Sequence, residues 1–246
     1  MRGRIERSRT PGAAAMPVPS ALIVGVGDGL SASLARLLAR EGFRLVLAAR
    51  DAAKLADLAT ETGADAVACD AADPAAVAAL FEGCDAAFEG APEIVVYNPS
   101  ARVRGPIAEL DPAAVRRALD VTAFGAFLVG QEAARRMLPQ GRGTILFTGA
   151  SAGVKGYPRS APFAMGKFAL RGLAQSMARE LAPQGVHVGH VVIDGAIRNP
   201  GREEPADRPD SMLDPEAIAA TYLALHRQPR SAWSWEIEVR PWVETF

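Results

Sequence analysis

A glycine-rich turn follows the first aliphatic run of the chain and has the composition of a phosphate-binding loop. It reads Gly25-Val26-Gly27-Asp28-Gly29-Leu30-Ser31 and leads into a segment whose leucines share one helical face. Glycines are needed where such a turn is tight and where the backbone must approach a pyrophosphate, which then lies against the positive end of the helix. We therefore predict that Gly25, Gly27, Gly29 and Leu30 bind a dinucleotide. A structural turn without a nucleotide is the alternative.

A second pair of polar residues, Arg50 and Asp51, ends the second aliphatic run. A carboxylate at this place would accept hydrogen bonds from the ribose diol of NAD, whereas an arginine can pair with the 2′-phosphate of NADP. Arg50 comes first, so the sequence favours NADP(H) over NAD(H). Two features oppose that preference, because Asp51 can equally cap the next helix and Asp28 in the glycine turn would repel a phosphate.

Seven short aliphatic runs, separated by amphipathic segments, supply the elements that must position these residues. The runs cover residues 21–25, 43–49, 66–69, 93–98, 143–149, 186–193 and 235–241. This alternation is typical of βαβ units that build a parallel sheet, and 246 residues suit one domain better than two. The predicted fold is α/β, a Rossmann-type doubly wound sheet of seven parallel strands in a single domain from residue 20 to 246. Ligands bind at the carboxyl edge of such a sheet, directly after each run.

Three helices are predicted to begin at an Asp-Pro pair, where the carboxylate caps free N–H groups and the proline has none to leave unpaired. The pairs begin at Asp73, Asp111 and Asp214, and we interpret all three aspartates as structural. Residues 198–212 are rich in Pro, Asp and Arg and follow the sixth run, so they are predicted to form a mobile flap beside the site.

Composition excludes several classes of function. Lys and Arg (27) almost cancel Asp and Glu (28), which leaves no basic surface for nucleic acid or an anionic membrane. The spacing of Cys69 and Cys84, and of the three histidines, does not indicate a metal site. No apolar run approaches the roughly 20 residues that span a bilayer, so we expect a cytoplasmic protein. Residues 1–19 are predicted to be a disordered leader, with an organelle-import peptide as the alternative.

From about residue 21 onward the chain resembles the short-chain dehydrogenase/reductase family. That family begins with TGxxxGxG, where this chain has Val24-Gly25-xxx-Gly29-Leu30-Ser31. The resemblance implies that Asp70 lies near the adenine and that Asn98, in the position of the family's NNAG, lines the cofactor. It implies that Gly195 and Ile197, in the position of PGxI, hold the nicotinamide amide. It also implies a small-molecule substrate and a homodimer or homotetramer.

The family's catalytic Asn, Ser, Tyr and Lys are matched here by Thr122, Ala150, Phe163 and Lys167, so only the lysine is present. The resemblance implies that Lys167 keeps a contact with the nicotinamide ribose. A ketone that accepts hydride also needs a proton, which Phe163 cannot supply.

Three other residues are candidates for that chemistry. We predict Tyr157 and Asp194 as possible acids, and Ser151 as a group that binds a substrate oxygen. The alternatives are an aromatic lid for Tyr157 and a loop-ordering role for Asp194.

These features together predict an NAD(P)-dependent oxidoreductase with an atypical active site. It would transfer hydride to or from a small carbonyl, imine or conjugated substrate. An imine or conjugated acceptor is already polarised, so its reduction needs less help from an acid. Two alternatives remain open from the residues alone. One is a dehydratase, isomerase or lyase on this scaffold, and the other is a non-catalytic nucleotide-binding protein.

Overall fold

Seven parallel strands form one sheet in the computed structural model, which describes residues 18 to 245. The spatial order is β3-β2-β1-β4-β5-β6-β7. The strands are β1 (Ser20–Val24), β2 (Arg44–Ala49), β3 (Asp65–Ala68), β4 (Ile94–Tyr97), β5 (Thr144–Thr148), β6 (His187–Ile193) and β7 (Glu236–Val239). Each strand overlaps one predicted run, which confirms the predicted Rossmann-type single domain.

Helices cover both faces of the sheet. They are α1 (Leu30–Arg40), α2 (Ala56–Thr62), α3 (Pro74–Phe88), α4 (Pro112–Leu119), α5 (Gly125–Met137), α6 (Ala161–Leu181) and α7 (Pro215–His226). Helices α3, α5 and α6 enclose one apolar core, while α1, α2 and α7 enclose the other. The central strands β1, β4, β5 and β6 are buried on both faces, as expected for a parallel sheet, whereas the edge strands β3 and β7 are partly exposed. None of the helices described between residues 18 and 245 is long and apolar enough to cross a membrane.

The Asp-Pro pairs begin three of these helices, as predicted. Asp73, Asp111 and Asp214 each accept a hydrogen bond from a backbone N–H two residues further on. Each proline occupies the first helical turn, where its missing N–H leaves no unpaired donor. These carboxylates are therefore engaged in capping.

Strand order reverses beside β1, because β2 lies on one side of it and β4 on the other. The connections that leave β1 and β4 diverge at this point and open a crevice at the carboxyl edge. The predicted flap lies along the same edge, where the isolated bridges Ile197–Leu213 and Asn199–Arg202 order it. The predicted leader lies outside the described residues except for Val18 and Pro19, and the carbonyl of Pro19 accepts a hydrogen bond from Arg44.

Candidate active site

A continuous cleft runs along the carboxyl edge of the sheet and consists of two adjoining cavities. The Arg50 cavity, of about 690 Å³, lies over the ends of β1 to β4, and the Lys167 cavity, of about 330 Å³, continues over the ends of β5 and β6. Both are lined by the glycine turn and by Asn98. The cleft walls include all ten residues predicted to bind the cofactor, namely Gly25, Gly27, Gly29, Leu30, Arg50, Asp70, Asn98, Lys167, Gly195 and Ile197.

The glycine turn has the geometry that its sequence predicts. Gly25 adopts a φ of +82°, and a Cβ added there would lie 2.5 Å from the Pro99 side chain, so both conformation and space require glycine. A Cβ added at Gly27 would meet no atom within 4 Å, because this residue faces open space in the cleft. Helix α1 then begins at Leu30 without a side-chain cap or an acidic residue in its first turn. Its first N–H groups lack intrahelical acceptors and favour an anion.

Hydrogen bonds from the Asn98 side chain link the end of β4 to the glycine turn. Its Nδ2 donates to Ser31 Oγ at 2.7 Å and to the carbonyl of Gly25 at 3.3 Å, and Ser31 Oγ donates to the same carbonyl at 3.3 Å. These bonds hold the two strand ends at the crevice in a fixed relation. Asn98 therefore contributes to the shape of the cleft as well as to its lining.

Three polar residues follow β2 and β3. Arg50 is a cation without an ionic partner among the described residues, whereas Asp51 and Asp70 accept hydrogen bonds in local turns. Arg50 is exposed in the cavity and makes no ion pair with any residue between 18 and 245. Asp51 caps the short helical turn that follows it by accepting from the Ala53 N–H at 3.2 Å, which is the alternative role foreseen for it. Asp70 accepts from the Ala72 N–H at 3.0 Å and lines the cavity.

The positions matched to the family's serine and tyrosine form an apolar surface in the Lys167 cavity. Ala150 and Phe163 pack with Ala152 in a small cluster of their own. Thr122, at the asparagine position, is buried in the π-helical turn between α4 and α5, where its Oγ1 accepts from the Ala101 N–H at 3.1 Å. None of these three positions presents a proton-carrying side chain to the cleft.

Lys167 is the one residue of the four matched positions that brings an ionisable group to the cleft. Its side chain is 2% exposed, and Nζ donates to the carbonyl of Thr148 at 2.6 Å. Nζ lies 5.9 Å from the centre of the Phe163 ring. Burial lowers the pKa of Lys167 to about 7, and the positive charge of Arg102 acts in the same direction.

The other three catalytic candidates lie beside the cleft, and none of them lines either cavity. Tyr157, 41% exposed, donates its hydroxyl to Ser151 Oγ at 2.9 Å. Asp194 is buried, with its carboxylate 3.6 Å from Lys155 Nζ and 3.5 Å from the guanidinium of Arg240. The contacts of Asp194 suit the loop-ordering alternative, and Tyr157 is a partly exposed aromatic beside the cleft.

Two arginines that line the cleft were not predicted from the sequence. Arg102 lies in the loop after β4, and its guanidinium carbon is 4.4 Å from the centre of the Phe163 ring. Arg202, from the predicted flap, lines the same cavity. The signal available for Arg102 was its place, four residues after Asn98 in a loop that leaves the carboxyl end of a strand.

No group of three or more His, Cys, Asp or Glu residues within residues 18–245 is arranged to hold a metal ion. The two cysteines are buried, and burial raises the pKa of Cys69 to about 11 and that of Cys84 to about 12. Neither thiol is therefore activated at neutral pH.

Known proteins resemble this chain over most of its length. A family model described as short chain dehydrogenase matches residues 19–204. Cis-4-hydroxycyclohexanecarboxylate dehydrogenase of Sinomonas cyclohexanicum is 32% identical over 216 residues, which cover 85% of this chain and 81% of that protein.

Two solved structures extend the likeness to the fold. A short-chain dehydrogenase from Rhodopseudomonas palustris is 36% identical with a TM-score of 0.79, and the match covers 91% of this chain and 99% of that one. A metagenomic short-chain oxidoreductase in complex with NADP is 28% identical with a TM-score of 0.79, covering 91% of this chain and 97% of that one.

Proposed function

Because the chain belongs to the short-chain dehydrogenase family, we propose that it is an NADP(H)-preferring oxidoreductase that transfers hydride to or from a small carbonyl, imine or conjugated substrate. The observation that carries this proposal is the continuous cleft whose walls hold Arg50 at one end, Lys167 at the other and the glycine turn between them. A dinucleotide needs such an extended site, with an anion-binding turn between its two halves.

The residues of the cleft fit a nicotinamide dinucleotide. The open space at Gly27 and the uncapped start of α1 suit a pyrophosphate, and the unpaired Arg50 suits a 2′-phosphate. Gly195 and Ile197 line the far end, where they would contact the nicotinamide amide. When bound, the nicotinamide supplies or accepts the hydride. The NADP complex of the 28% identical structure supports this class of cofactor.

We assign to Lys167 the role of the group that gives or takes the proton in this cleft. Its lowered pKa of about 7 allows Nζ to hold or release a proton near neutral pH, which is the property required of a general acid. Tyr157 and Asp194 would have to move to replace it, since neither lines the cleft. A polarised imine or conjugated substrate suits this arrangement because the apolar surface of Ala150 and Phe163 offers no hydroxyl to activate a plain ketone.

A test of the reaction type is deuteride transfer from NADPH carrying deuterium at C4 of the nicotinamide. The panel should contain ketones, imines and conjugated carbonyls. In the reverse direction the test should use NADP+ and cis-4-hydroxycyclohexanecarboxylate with deuterium at its carbinol carbon, after the relative named for that compound, and deuterium should then appear in the NADPH formed. We expect deuterium in the reduced product by mass spectrometry, and about 10² less of it with Lys167→Met, since one acid typically contributes that factor. Turnover without deuterium in the product would identify a non-redox enzyme instead.

A non-catalytic nucleotide-binding protein is the second candidate. The observation that favours it is that the three buried side chains at the matched catalytic positions, Thr122, Ala150 and Phe163, present no acid to the cleft. Tight NADPH binding with no transfer across the whole panel is the result that this candidate predicts.

A further inference from the structure

Arg102 occupies an unusual place in the Lys167 cavity, because its guanidinium lies over the ring of Phe163, 4.4 Å from the ring centre. The ring itself is buried and has Lys167 Nζ at 5.9 Å. An arginine over an aromatic face gains a cation–π attraction and a fixed plane for its N–H donors. Phe163 therefore serves as a platform that orients Arg102 towards the cavity.

The charges that line this cavity are unbalanced. Three cationic side chains, Arg102, Lys167 and Arg202, face one carboxylate, Asp28 in the glycine turn. Neither Arg102 nor Arg202 makes an ion pair with a residue between 18 and 245. Partial burial and the neighbouring charges of Arg104 and Arg202 lower the pKa of Arg102, so the three guanidinium groups repel one another.

Several arginines elsewhere in the fold are paired with carboxylates, whereas others, such as Arg50 and Arg104, have no such partner between residues 18 and 245. Arg171 forms two hydrogen bonds of 2.7 Å with Glu236, Arg36 lies 2.8 Å from Glu61, and Arg198 lies 2.9 Å from Asp214. Arg102 differs from an unpaired surface arginine such as Arg104 because it lines a cavity and lies over an aromatic ring. A planar guanidinium with free donors matches the two oxygens of a carboxylate.

We propose that Arg102 is a specificity-determining residue that binds a carboxylate of the substrate, assisted by Arg202. The apolar body of that substrate would then lie on the surface formed by Ala150 and Phe163. This inference rests on the proposed function, because it names the substrate class of the same site. It also gives Phe163 a role, since its ring orients the residue that recognises the substrate.

The alternative source of an anion is the cofactor, whose phosphates could also reach Arg102 or Arg202. Arg102 does not line the Arg50 cavity, where we expect the 2′-phosphate, but it shares the Lys167 cavity with the start of α1, which suits the pyrophosphate. A test must therefore measure the affinity for NADPH and the affinity for a carboxylate separately.

Benzoate and its neutral counterpart benzamide are suitable probes, with binding measured by calorimetry in the absence and presence of saturating NADPH. We expect benzoate to bind at least about tenfold more tightly than benzamide, as one charge-assisted pair allows. Arg102→Gln should remove that difference and leave the Kd for NADPH within about twofold. Arg102→Lys keeps the positive charge but lacks the planar pair of N–H donors, so it should retain part of the preference for benzoate.

Arg179→Gln is the matched control, because Arg179 is exposed in the last turn of α6, makes no ion pair with a described residue and lines neither cavity. It should behave as the unaltered protein does. Equal affinity for the two probes, or no benzoate binding at millimolar concentration, would overturn the proposal. So would an Arg102→Gln variant that weakens NADPH as much as benzoate. If NADPH does not bind while the Arg102-dependent benzoate preference persists, the proposed function fails and the carboxylate subsite stands.

Discussion

The two ends of the cleft differ in what holds their residues in place. Where the Arg50 end meets the glycine turn that both cavities share, the backbone shape of Gly25 and the hydrogen bonds of Asn98 and Ser31 fix the walls. At the Lys167 end, single side chains decide what the surface can do, and those of Ala150 and Phe163 are apolar. Binding geometry set by the backbone can therefore persist while the chemistry at the other end of the same cleft changes.

The two ends also differ in the charges of the residues that line them. The Arg50 cavity is lined by Asp28, Asp51 and Asp70 together with Arg50 and Lys54, so its charges nearly cancel. The Lys167 cavity is lined by three cations and one carboxylate. We expect the first end to accept a cofactor that its turn and its arginine recognise, and the second to select an anionic molecule.

Restoring the two hydroxyls at the Lys167 end should have the largest effect. In the double variant Ala150→Ser/Phe163→Tyr, the tyrosine would sit one helical turn before Lys167, close enough to share its proton with the lysine. We expect the rate of NADPH oxidation with a neutral ketone to rise by about 10² or more, the usual contribution of a placed acid. Ser151→Ala and Tyr157→Phe are the controls, and both should leave the rate unchanged. A double variant without any gain would show that the apolar surface is not what limits ketone reduction.

Removing the buried cation should stabilise the protein. The pKa of Lys167 falls from its ordinary 10.5 to about 7 on folding, so the unfolded chain binds more protons than the folded one between these values. The cost of burying this amine is therefore full below pH 7 and fades towards pH 10.5. We expect Lys167→Met to raise the free energy of unfolding by about 3 kcal/mol at pH 6, and by much less near pH 10.

Urea unfolding at the two pH values measures this difference. Lys54→Met, at an exposed position, is the control and should change the free energy of unfolding by less than about 0.5 kcal/mol. A Lys167→Met variant that is less stable at pH 6 would contradict the claim that burial of this charged amine costs free energy of folding.

A smaller effect is expected from a methyl group at the Arg50 end. Gly27→Ala meets no neighbouring atom, so folding should be unaffected, but the added methyl would occupy space that we assign to the pyrophosphate. We predict about tenfold weaker NADPH binding by calorimetry, equivalent to about 1.4 kcal/mol. Gly172→Ala, in open space on α6, makes the same chemical change away from the cleft and should leave NADPH affinity unaltered. Equal affinity in all three proteins would place the phosphates elsewhere.

Local patterns in the sequence were sufficient to predict the fold. Strand positions followed from short aliphatic runs, and three helix starts followed from Asp-Pro pairs, because periodicity and capping depend on near neighbours. The ten residues predicted to bind the cofactor line the cleft because each of them is in or near a loop at the carboxyl edge of the sheet, or projects to it from a helix. Such placement depends on topology, which the runs already determine.

Side-chain directions in the long loops did not follow from those patterns. Tyr157 and Ser151 hydrogen bond with each other beside the cleft, and Asp194 pairs with Lys155 and Arg240. The contact between Arg102 and Phe163 joins a loop to a helix that is distant in sequence, so no spacing rule could reveal it. Tertiary contacts of this kind set the chemistry of the site, and only the folded chain shows them.

Titration with NADPH and with NADH tests the central claim most directly, namely that the cleft still binds a nicotinamide nucleotide although its tyrosine position holds Phe163. Calorimetry together with energy transfer from tryptophan to the nicotinamide gives both the affinity and the stoichiometry. We predict one NADPH per chain with a Kd in the micromolar range, tighter than NADH because of Arg50, and a loss of that preference in Arg50→Gln. No binding of either nucleotide at millimolar concentration would contradict the account.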